Sequence, residues 1–150
     1  MTVAIRGLLS LVLALIIPTA IAAQALEGLA GHWALDRAAS TFGPGDPGAD
    51  RIEIVVSPTE ASVRRFFFGA LEPSVWTLAL DGSAPPPPKR GSALVIGGKL
   101  VITHERAQQI VTHVYTIVGD TLFVERSIRA KSPNEDAAPL THVMVFRKMT

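Results

Sequence analysis

None of the 150 residues is a cysteine. Stability must therefore come from packing without disulfides, and thiol catalysis, cysteine-ligated metals and a lipid anchor on a cysteine are all excluded. Aromatic residues are scarce at 6%, with only two tryptophans, which makes Trp33 and Trp76 prominent. Helical periodicity is almost absent after residue 25, and no apolar stretch there approaches the roughly 18 residues of a membrane span. Catalytic signatures are missing as well: there is no Gly-x-Ser-x-Gly elbow, no Ser-x-x-Lys, no His-Glu-x-x-His and no phosphate-cradling glycine loop. The paired carboxylates Glu135-Asp136 fall in a polar turn with nothing apolar to raise a pKa, so they read as a solvated loop. The expectation is a protein that is not an enzyme and carries no cofactor.

What is present begins with a leader. Arg6 supplies a short positive region, residues 8–17 are an almost unbroken apolar run ending at Pro18, and Ala23-Gln24-Ala25 has the A-x-A form of a cleavage site. This predicts a secretory signal over 1–25, a single domain over 26–150 beginning at Leu26, and a periplasmic or secreted protein. An uncleaved anchor over 8–23 is the alternative. The leader holds 18 of the 72 apolar residues, leaving 54 of 125, or 43%, the share of an ordinary soluble domain. Without Arg6, 13 Lys plus Arg stand against 13 Asp plus Glu. A neutral surface gives no electrostatic reason to bind nucleic acid or an anionic membrane, and no stable membrane insertion is expected once the leader is removed.

From Leu26 onward the dominant period is two, broken by turn residues at short intervals. Strands are expected over 32–36, 52–56, 62–68, 74–81, 93–96, 99–105, 109–118, 121–130 and 140–148. Gly97-Gly98 and Gly119-Asp120 are two-residue hairpin signals. A Gly- and Pro-rich loop spans 40–50, and Pro85 to Pro88 read as a stiff extended connection. Eight or nine short strands joined by sequential hairpins, with no crossover helices, suit an all-β, antiparallel up-and-down barrel, which removes exposed edges. A β-sandwich is the alternative.

Three patches carry a family resemblance. Leu29-Ala30-Gly31-His32-Trp33-Ala34-Leu35-Asp36 followed by Ser40-Thr41-Phe42-Gly43-Pro44-Gly45 resembles the opening of exported bacterial lipocalin-like (calycin-type) small β-barrels. Gly31-His32-Trp33 fits the Gly-x-Trp of lipocalins generally. Trp76 to Gly82 and Thr141 to Lys148 resemble the group's middle and last strands. The resemblance implies barrel closure built on Gly31 and Trp33, with a basic residue of the last strand over the indole, Arg147 first and Lys148 second. It also implies a small apolar or amphipathic ligand inside the barrel, lined by Phe66, Phe68, Trp76, Leu78, Leu100, Ile102, Tyr115, Leu122 and Val124. The same residues would equally fill a solid core, so a structural or interaction module of the cell envelope stays open beside ligand binding.

Polar residues add two expectations. His104 and His113 lie on consecutive strands and could face each other, with His142 or Glu105 as a third zinc ligand; the simpler reading is ordinary polar side chains. Alternation puts Arg64 on the face of Phe66 and Phe68, and Arg65 on that of Phe67. Arg126 shares a face with Leu122 and Val124. An inward arginine would meet the carboxylate of a fatty-acid-like ligand; the simpler reading is a strand-end arginine reaching water.

Overall fold

The period-two pattern becomes one continuous nine-stranded sheet. A computed structural model describes residues 26–43, 48–84, 91–132 and 139–150. The leader, residues 85–88 and the Glu135-Asp136 turn lie outside them. After a single 3-10 turn, Glu27–Leu29, come β1 (Gly31–Thr41), β2 (Arg51–Val56), β3 (Glu60–Phe66), β4 (Ser74–Ala79), β5 (Ser92–Ile96), β6 (Lys99–Glu105), β7 (Gln109–Val118), β8 (Thr121–Ala130) and β9 (Leu140–Lys148). No helix among the described residues is long and apolar enough to cross a membrane.

The sheet order is β4-β3-β2-β1-β9-β8-β7-β6-β5, and every named pairing in it is antiparallel. The first strand pairs with the last, as an up-and-down barrel requires and a sandwich does not. Parity explains the one weak seam. Eight antiparallel steps separate β4 from β5, so these two strands point the same way and cannot continue the antiparallel ladder. Among the described residues the seam is bridged just past the end of β4, where the chain has turned, by an isolated antiparallel bridge between Asp81 and Leu94 and the Gly82 N–H bond to Ala93 O at 3.0 Å. Gly82 sits at φ +82°, and a Cβ there would lie 2.8 Å from Leu94.

Turn chemistry fixes the register. Ile96 pairs with Lys99 around Gly97 and Gly98, both at positive φ, and Val118 pairs with Thr121 around Gly119 at φ +60°. These are the two tight hairpins whose twist matches that of the strands. One irregularity lies between β1 and β9, where the register shifts between Asp36 and Thr41. Ser40 Oγ bridges it, accepting the Val145 N–H at 2.9 Å and donating to Asp36 O at 2.6 Å.

The two ends of the barrel differ. At one end, where β1 begins and β9 finishes, the 3-10 turn puts Leu26 and Leu29 into the core beside Trp33, Ile54, Leu100 and Leu122. Trp33 donates its indole N–H to Leu29 O at 3.0 Å. Its register partner on β9 is Lys148, whose Nζ lies 5.8 Å from the indole centroid. Arg147 was the expected partner. It stands opposite Ala34, on the outer face, where it bonds Asp36 at 3.2 Å and Thr121 Oγ1 at 2.7 Å. Strand alternation hands the indole to the next residue along. At the other end the described ends of β1, β3, β6 and β8 and the starts of β2, β4, β5, β7 and β9 surround a mouth.

Candidate functional site at the mouth of the barrel

A cavity of about 350 Å³ fills the mouth half of the barrel, within the roughly 300–1,000 Å³ typical of small-molecule sites. Ile52, Val124, Met144 and Phe146 give it apolar lining, and it reaches the surface beside Arg106 and Leu140. Its polar lining is Arg65 from β3, His113 and Tyr115 from β7, Arg126 from β8 and His142 from β9. Register builds this wall: His113 faces Arg126 across β7 and β8, and Arg126 faces His142 across β8 and β9. Three polar side chains thus form one inward row.

Arg65 is held against aromatic rings. Its guanidinium lies 3.7 Å from the Trp76 centroid and 5.5 Å from that of Phe67, and it donates to Ser74 Oγ at 3.0 Å. Trp76 in turn meets His104 at 4.8 Å and His113 at 5.1 Å, and the two imidazoles stack at 5.5 Å. Burial pushes the His113 pKa down to about 3, helped by the Arg65 charge, and that of His104 down to about 4, helped by Arg106. Burial pushes the Tyr115 hydroxyl up to about 12. At neutral pH the His104 and His113 imidazoles and the Tyr115 phenol are therefore uncharged, while Arg65 and Arg126 bring positive charge to the wall.

Several atoms of this wall have no hydrogen-bond partner among the described residues: Arg65 Nε, His113 Nδ1 and the Tyr115 hydroxyl. Each such buried group costs about 1–3 kcal/mol. A bound oxyanion accepting from them would relieve that cost and meet the positive charge, so the chemistry on offer is anion recognition beside an apolar surface.

Solved structures similar to this chain include two of one protein. They are the fluorescent protein UnaG in wild-type form, with TM-score 0.57 and 16% identity, and a point mutant of it, with TM-score 0.58 and 17% identity; each alignment covers 83% of this chain and 99% of the other. The fold is a calycin-type barrel. No family model and no curated protein matches the sequence.

Within this barrel the residues expected from the sequence divide into three groups. Tyr115, Val124 and Arg126 line the cavity. Leu78, Leu100, Ile102 and Leu122 are buried in the packed core, and Trp76 backs Arg65. Phe66 and Phe68 are corrections: Phe66 lies against Arg51 at 4.3 Å and Arg64 at 5.9 Å, while Phe68 is 93% exposed. The inward pair is Arg65 and Phe67. The reason is phase, because Ala61 and Val63 are buried whereas Ser62 and Arg64 are not, so odd-numbered residues of β3 face inward. That signal lay in Ala61-Ser62-Val63-Arg64. Arg106 and His142 also line the cavity, the latter signalled by its alternation with buried Met144 and Phe146.

His104 and His113 do meet, but face to face, with 13° between their planes. Stacking presents ring faces rather than nitrogen lone pairs. No group of three His, Asp or Glu side chains among the described residues is arranged to hold a metal.

Proposed function

We propose that this protein is an exported, lipocalin-like carrier that binds one small amphipathic anion in the mouth half of its barrel and acts by binding and release rather than by turnover. The observation that supports it most strongly is the composition of the cavity wall, where Arg65, His113 and Tyr115 present polar atoms unpartnered among the described residues to a space also lined by Ile52, Val124, Met144 and Phe146. An apolar tail fits the second set and a carboxylate the first. Carboxylate–arginine bonds are charge-assisted, roughly twice as strong as neutral hydrogen bonds. The closed half is filled by Trp33, Leu100 and Leu122, so the ligand is confined to the mouth half and is of modest length.

Place in the exported bacterial lipocalin-like group rests on Gly31-His32-Trp33, the two later patches and the leader pattern. Gly31 sits at φ +137°, a conformation that favours glycine, two residues before the buried indole. Mass spectrometry of the protein recovered from an exporting cell tests the leader. A start at Leu26 is expected, and a start at Met1 or Thr2 contradicts export by cleavage. Titration with a fluorescent fatty-acid analogue tests the ligand. Saturable binding displaced by medium-chain fatty acids is expected; no saturable binding at any chain length replaces the carrier with a filled envelope module.

A further inference from the structure

The neutral charge of residues 26–150 conceals an axial division. Arg51, Arg106 and Arg129 are exposed around the mouth and stand in no ion pair among the described residues. Of the acidic groups described there, Asp50 is taken up by Arg37 and Glu105 by Lys131, which leaves Glu72. At the closed end Glu27, Glu60 and Asp120 stand with Lys99 and Lys148. Among the described residues the mouth is therefore the cationic pole.

That same pole carries the most exposed apolar side chains. Phe67 to Ala70 form a turn closed by the Ala70 N–H bond to Phe67 O at 3.1 Å, with Gly69 at φ +77° in its third position. Such a turn requires a residue tolerant of positive φ there and throws its second residue outward. Phe67 lines the cavity, while Phe68 is 93% and Leu71 100% exposed. Leu140, on the opposite side of the opening, is 52% exposed. A loop tip of this kind above a ring of arginines has the chemistry of a peripheral membrane contact, apolar groups for the acyl boundary and cations for phosphates.

We propose that the mouth docks on an anionic phospholipid bilayer, with Phe68 and Leu71 entering the acyl boundary and Arg51, Arg106 and Arg129 lying on the phosphates. Docked this way, the cavity opens onto lipid rather than water. The proposal goes beyond the ligand reading and stands without it.

The test is sedimentation with vesicles of phosphatidylglycerol mixed with phosphatidylcholine, against phosphatidylcholine alone. The protein is expressed from its full sequence, so that wild type and variants share one N-terminus. Partition onto the anionic vesicles is expected to fall by about tenfold per apolar anchor removed, as in Phe68→Ser with Leu71→Ser. It is also expected to fall severalfold in Arg51→Gln with Arg129→Gln, and to weaken as NaCl rises toward 1 M, where the screening length is about 3 Å. Thermal unfolding of the variants is expected to match wild type, because the changed side chains are exposed. Equal partition of wild type and the Phe68/Leu71 variant overturns the proposal, whether binding is absent or is driven by the leader. A wild-type dimer that this variant dissolves overturns it too, since a second copy would then be the occupant.

Discussion

At the closed end of the barrel Trp33 is fully buried and its one polar atom is bonded to Leu29 O at 3.0 Å; in the mouth half Tyr115 is just as buried, and its hydroxyl has no partner among the described residues. Both rings fill space. One satisfies the rule that buried polar groups find partners, and the other breaks it. The contrast extends to their surroundings, since Trp33 sits among Leu26, Leu29 and Ile54 while Tyr115 shares its cavity with Arg65, His113 and Arg126. The closed end is built for stability. The mouth keeps polar groups in an environment that costs stability, which is how a protein holds donors ready for something other than itself.

The largest effect expected from this contrast is on the closed end. Trp33→Ala should cost about 3–5 kcal/mol of unfolding free energy by removing a fully buried ring, measured by urea denaturation. A loss below about 1 kcal/mol would erase the distinction between the ends.

The next is a pH effect belonging to the mouth. His113 and His104 have native pKa values depressed to about 3 and about 4 from the ordinary 6.5, so between these limits the unfolded chain binds protons that the native state refuses. Their neutral-form stability is complete above pH 6.5 and is lost as pH falls toward the depressed values. From His113 alone the loss between pH 6.5 and 4 should be roughly 3 kcal/mol, and His113→Gln should flatten the curve. An unchanged acid limb in that variant would show that the cluster does not carry the burial penalty.

Tyr115→Phe should have the smallest effect on stability and sharpen the comparison most. Deleting an unpartnered buried hydroxyl should leave stability unchanged or raise it by up to about 1 kcal/mol, while weakening binding of the anionic ligand. If the variant loses more than about 1 kcal/mol, the hydroxyl is a structural group and the mouth follows the same rule as the closed end.

Much of the closed end was legible in the sequence because its signals are local. Gly97-Gly98 and Gly119-Asp120 specify their hairpins without reference to the rest of the fold, and Gly31-His32-Trp33 marks the first strand beside its closure. β6, β7, β8 and β9 lie where alternation puts them. The mouth was harder to read because it depends on register between strands. The triple Phe66-Phe67-Phe68 looks apolar in either phase, and only the Ala61-Val63 alternation upstream tells which ring turns in. Arg147 and Lys148 are chemically similar neighbours whose roles are decided by pairing with β1. The row of His113, Arg126 and His142 joins three strands, so no single stretch of sequence displays it.

The contrast between the two ends is tested most directly by calorimetric titration of wild type and Arg65→Met with decanoate and with decanol, two ligands that share a tail and differ in charge. Wild type should bind decanoate at least about tenfold more tightly than decanol, as expected of charge-assisted bonds worth about 1.5–3 kcal/mol. That preference should collapse in Arg65→Met while decanol binding is retained. Equal affinities in wild type, or a carboxylate preference that survives the loss of Arg65, would contradict it.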